Sequence, residues 1–111
     1  MPSADERELA RAEIVDAAEA VLNGELGVIA ASRIIDWAGS IIDPDMEDKE
    51  LLGFKSINSQ SDHLTVGELL ESWHVSVRDV KRREVAEFEA LFEEGVMLDA
   101  AVLVERYRRV T

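Results

Sequence analysis

Apolar and polar positions along the 111-residue chain recur with helical period over three long stretches. The most apolar runs from Gly27 to Ile42, G-V-I-A-A-S-R-I-I-D-W-A-G-S-I-I. Arg33, Asp36 and Ser40 follow one another at steps of three and four, so on a helix they form one narrow polar stripe. Val28, Ile29, Ile34, Ile35, Trp37, Ala38, Ile41 and Ile42 occupy most of the remaining circumference. A cylinder this apolar is expected at the centre of the core, covered by neighbours on several sides. It is too short, and with its charged pair too polar, to cross a bilayer.

The flanking stretches complete the pattern. Ser3 and Glu6 are spaced as a capping box, and Ala10, Ile14, Ala17, Ala18, Val21 and Leu22 recur on one face. An amphipathic helix is therefore predicted over 4–23, stopped at Asn23-Gly24. The short link to Gly27 implies that the first two helices pack as a hairpin. From Val77 to Arg109 there is no proline and one glycine, Gly95, and a long last helix capped by Ser76 is predicted. Such a helix would be about 50 Å long and would overhang a domain of this size. Its later half, Val96 to Val104, is apolar nearly all round. Either it breaks at Gly95 and folds back, or a second chain covers it, and a two-fold homodimer is the expectation.

Between the central and last helices the period fades. Asp43-Pro44 ends the central helix, and Asp43, Asp45, Glu47, Asp48 and Glu50 read as a solvated acidic turn. A calcium loop is excluded there, because Asp48 stands where glycine is needed and Phe54 where a bidentate glutamate is needed. Residues 51–64 read as a long ordered loop anchored by Leu52, Phe54 and Ile57. Thr65 and Glu68, with Leu64 and Leu69 as a staple, predict a short helix ending near Trp73. The fold class is thus all-α: a single bundle-like domain, 1–111, of four helices, one short and one long, with a long ordered loop.

Composition narrows the chemistry. There is no cysteine, which removes disulfides, thiolate metal sites and cysteine nucleophiles. Acidic residues number 24 against 12 basic ones, a formal net charge of −12. That sign disfavours nucleic acid and anionic membrane; it reads first as a surplus that keeps a small domain soluble, and it also suits a basic protein partner. The first residues lack a basic segment followed by an apolar run, so a cytoplasmic location is expected.

Candidate constellations are few. Glu71 and His74 form one Glu-x-x-His pair where a bundle di-iron site needs two, so no metal or other cofactor is expected. Ser59, Ser61, Asp62 and His63 have the residue types of a triad, but groups this close in sequence more often make turns and caps. The basic run Arg78, Lys81, Arg82, Arg83 lacks interleaved aromatics and reads as a solvated face. Arg33 and Asp36, on an otherwise apolar helix, need polar partners, and residues 58–63 supply them. Asp62 and His63 are expected to hold that loop to the central helix. The same groups, with Trp73, could instead line a polar recess.

The run Ser59-Gln60-Ser61-Asp62-His63-Leu64-Thr65-Val66-Gly67, followed by Trp73, resembles a family of small uncharacterised bacterial proteins. Their pattern is Ser-Glu-Thr-Asp-His-x-Pro-x-Gly and then a tryptophan. Ser59, Asp62, His63, Gly67 and Trp73 match it, and the likeness extends to Leu22-Asn23-Gly24-Glu25 and Arg33. Gln60, Thr65 and Leu70 depart from it. The resemblance implies no activity.

The reading from sequence is a non-catalytic bacterial protein working by protein–protein contact, for example an immunity or inhibitor protein with an acidic docking surface. The alternative is a small-ligand or hydrolytic site at the recess of Arg33, Asp36, Asp62, His63 and Trp73.

Overall fold

In the computed structural model, residues 2–64 and 74–108 are described, and they form four α-helices and no strand. Helix α1 is Ala4–Leu22, α2 is Val28–Ile42, α3 is Lys49–Gln60 and α4 is Val75–Tyr107. Helix α1 packs on α2 and α4, and α3 packs on the same two. The all-α, bundle-like class holds.

Local signals set the first two helices. Ser3 Oγ accepts from the Glu6 amide at 3.1 Å, so α1 starts where its cap requires. Asn23 ends it, and Gly24 turns the chain at a φ of 73°, a left-handed conformation that favours glycine. Ala10, Ile14, Ala17, Ala18 and Val21 are the buried face of α1. Helix α2 buries Val28, Ile29, Ala31, Ile35 and Ala38. It is less enclosed than its composition suggests, however. Trp37 is 56% exposed and Ile34, Ile41 and Ile42 are half-buried, so one side of α2 faces outward.

Residues 49–60 are the main departure from expectation: a helix stands where a loop was predicted. Asp48 caps it, accepting from the Glu50 amide at 3.0 Å and the Leu51 amide at 3.2 Å. Leu51, Phe54 and Ile57 lie on one buried face. Gly39 lets α2 and α3 approach closely, for a Cβ there would lie 3.3 Å from Leu51 Cδ2. Asp48 is thus not part of a solvated turn. The expected short helix at 65–73, with Trp73, lies outside the described residues.

Helix α4 runs its 33 residues without a break at Gly95. At about 1.5 Å per residue it accounts for the molecule's longest dimension, 48 Å. His74 caps it, its Nδ1 accepting from the Ser76 amide at 3.3 Å, two residues before the predicted cap. Val96, Ala100, Leu103 and Val104 bury its C-terminal half in the core. That packing outweighs a glycine penalty of about 1 kcal/mol in a helix interior.

Candidate functional site

The sequence-predicted polar residues separate into different roles. Arg33 Nη2 donates to the carbonyl of Leu64 at 2.8 Å and reaches that of Ser61 at 3.4 Å, so it holds the chain leaving α3. Asp36 accepts from Asn58 Nδ2 at 2.8 Å and sits 3.6 Å from Lys55 Nζ. Arg33 and Asp36 therefore bind α2 to α3 and its C-terminal turn. Asp62 and His63 are exposed and make no hydrogen bond or ion pair among the described residues. The expected anchoring by Asp62 and His63 is carried by Arg33 instead. His63 borders a shallow cleft of about 490 Å³, with Leu64, Glu84, Glu87, Phe88 and Leu91. Trp73 is not among the described residues.

A second charged constellation joins α3 to the end of α4. Arg106 Nη1 donates to Asp48 Oδ2 at 2.6 Å and to Glu50 Oε2 at 3.1 Å. Tyr107 donates its hydroxyl to Asp48 Oδ2 at 2.7 Å, and the Asp48 amide donates to Asp43 Oδ2 at 2.8 Å. Burial would raise the Asp48 carboxyl. The hydrogen bonds from Arg106, Tyr107 and the Leu51 amide overcome that and hold it down at about 2. Burial and the hydrogen bond to Asp48 push the Tyr107 phenol well above its ordinary value. Three of the carboxylates in the 43–50 turn are therefore committed to holding the fold.

The outer face of α4 is a second exposed apolar surface, beside the one at Trp37 on α2. Val77, Val80, Leu91, Leu98 and Val102 are all exposed, Leu91 at 79% and Leu98 at 66%. Their separations of three, eleven, seven and four residues are close to whole turns, so they form one stripe opposite the buried face. Glu87, Glu94 and Glu105 run beside it at separations of seven and eleven, exposed and without ion pairs among the described residues. Leucines this exposed, in line and rimmed by carboxylates, have the composition of an interaction surface.

On the other flank of the stripe, α3 and α4 leave a slot of about 220 Å³ lined by Gly53, Ser56, Ile57, Phe92, Gly95, Val96 and Asp99. Asp99 makes no hydrogen bond or ion pair among the described residues. Burial, then the fields of Glu50 and Asp48, raise its carboxyl above the ordinary value. In the sequence Asp99 is one polar position within an apolar run. The signal available was the pair of glycines, Gly53 and Gly95, on helices that come to face each other.

No cluster of three or more histidines, aspartates or glutamates among the described residues could hold a metal ion. No helix among them is long and apolar enough to cross a membrane. Comparison of the chain with protein-family profiles, curated proteins and solved structures finds no match.

Proposed function

We propose that this is a non-catalytic cytoplasmic protein that acts by docking a basic protein partner on the outer face of α4. The observation that carries the reading is the exposed stripe through Leu91 and Leu98, with Glu87, Glu94 and Glu105, unpaired among the described residues, along its edge. The net charge of −12 acts in the same direction by steering a cationic partner inward. A partner segment that fits is an amphipathic helix whose apolar side chains cover the leucines and whose lysines or arginines meet the rim. An inhibitor or immunity protein covering a basic enzyme is a concrete form of this activity.

The test is stopped-flow association with a synthetic amphipathic leucine–lysine peptide. Replacing Glu87, Glu94 and Glu105 together by lysine should slow association by about tenfold or more and remove most of its salt dependence. Unchanged association in both respects would refute the docking face.

One observation favours a second reading, a two-fold homodimer. Gly95 stands on the outward side with nothing within 4 Å of a Cβ placed there, and Leu98 lies one turn further along. An antiparallel copy would set Leu98 of each chain over Gly95 of the other. The same pairing brings two acidic surfaces together, which is why the basic partner is preferred. Sedimentation equilibrium separates the two readings: a mass of 12.4 kDa retains the first, and twice that mass the second.

A further inference from the structure

The slot beside the stripe has an unusual construction. Asp99 projects from α4 toward Gly53 on α3, and a Cβ at Gly53 would lie 2.8 Å from Asp99 Oδ2. The carboxylate therefore occupies space that any other residue at 53 would fill. Gly95, one turn before Asp99, likewise presents no side chain at the edge of the slot, so the way in from the apolar stripe is open. Ile57, Phe92 and Val96 make the walls largely apolar, and Ser56 adds one hydroxyl.

A carboxylate partly removed from water ordinarily finds a cation or a hydrogen-bond donor. Asp99 has neither among the described residues, although Lys49 is near enough to influence it. Its other charged neighbours, Glu50 and Asp48, oppose its ionisation and are themselves engaged with Arg106. Among the described residues the charge is thus met only at a distance, by Lys49, and a bound cation would relieve it.

We infer that this slot receives a primary ammonium group, the lysine side chain of the basic partner proposed above. The assignment rests on that reading and names the anchor within it. A lysine stem is apolar like the walls, and its head is a compact point charge. Phe92 offers an aromatic surface to the same cation. A guanidinium suits the slot less well, because its planar fork calls for bidentate acceptors and the single carboxylate here is flanked by apolar groups. The stripe and the slot share Gly95, so one partner helix can cover Leu91 and Leu98 while its lysine enters beside them.

The experiment is an NMR titration of the intact chain with N-acetyl-lysine N-methylamide, using the norleucine and arginine analogues as controls. The lysine compound should produce saturating shifts at the Gly53 and Gly95 amides. The norleucine compound should produce none, and the arginine compound should bind more weakly. Asp99→Asn should weaken lysine binding by about tenfold or more. It should fold at least as well as the parent, because it removes a partly buried charge that has no hydrogen bond or ion pair among the described residues. Gly95→Leu closes the mouth where a Cβ meets no neighbour, and should abolish the shifts with the helix retained. Equal binding in Asp99→Asn, or equal binding of the arginine analogue, would overturn the inference. A leucine–lysine peptide whose binding to the stripe is unaffected by Asp99→Asn would overturn the slot and leave the docking face standing. Lysine shifts with no peptide binding would do the reverse.

Discussion

Glu89, on the long C-terminal helix, caps the start of α2: its Oε2 accepts from the Ile29 amide at 2.9 Å, sixty residues away in sequence. Gly27, the N-cap residue, has no side chain to do this, and a Cβ there would lie 2.8 Å from that same oxygen. The missing side chain makes room for the distant carboxylate. The negative charge also sits at the positive end of the α2 dipole. Glu89→Ala should therefore cost about 1–2 kcal/mol of stability, as loss of a local cap does. Gly27→Ala should also destabilise, by displacing Glu89. Urea denaturation measures both, and an unchanged midpoint for Glu89→Ala would show that the contact is idle.

Asp48 and Asp99 should give opposite pH dependences. Asp48 is held at about 2, below the ordinary 3.8, so its contribution is complete above that value and is lost as pH falls through about 2. Asp99 is raised, so its share of stability is complete below 3.8 and is lost as pH rises through its folded value. Asp48→Asn should lower stability at pH 7 by about 2 kcal/mol and flatten the acid limb. Asp99→Asn should raise the melting temperature at pH 7. Thermal melts from pH 2 to 8 check both signs.

Tyr107 extends that dependence to the alkaline side. Its phenol is raised by burial and by the hydrogen bond to Asp48, so the stability it brings is present below 10.0 and disappears as pH rises further. Tyr107→Phe should cost about 1 kcal/mol near neutrality and remove that alkaline loss. Melting curves of the two proteins should differ up to about pH 10.0 and converge only as pH rises beyond it.

Arg33, rather than Asp62, should carry the tie between α2 and the residues after α3. Arg33→Ala leaves the Leu64 carbonyl without its donor and should cost about 1–3 kcal/mol. Asp62→Ala, at an exposed position without partners among the described residues, should fall within about 0.5 kcal/mol of the parent. The reverse order in chemical denaturation would return the anchoring role to Asp62.

The limits of what the sequence discloses follow from the range of the forces involved. Helices α1, α2 and α4 were legible because their apolar runs are local, as are the cap and stop of α1 at Ser3 and Asn23-Gly24, whereas the cap of α2 is the distant Glu89 and that of α4 is His74 rather than Ser76. Helix α3 was obscured by Gly53, Ser56, Asn58 and Ser59, which are weak helix formers, and by a buried face of few residues. Its cap, Asp48, looked like one more acid in a solvated turn, because its partners Arg106 and Tyr107 are nearly sixty residues away. The Arg33 and Asp36 stripe was visible as a demand for polar partners, and residues 58–64 met it. The slot at Asp99 was not visible, since it exists only once Gly53 and Gly95 face each other across α3 and α4.

Isothermal titration of the chain with an amphipathic leucine–lysine peptide, repeated over a range of salt, tests the docking face most directly. The parent should bind with an affinity that falls as salt rises. Leu91→Ser with Leu98→Ser should fold like the parent, because both leucines are exposed, and should bind at least about tenfold more weakly. Binding unaffected by salt and by loss of both leucines would contradict a docking role for this face of α4.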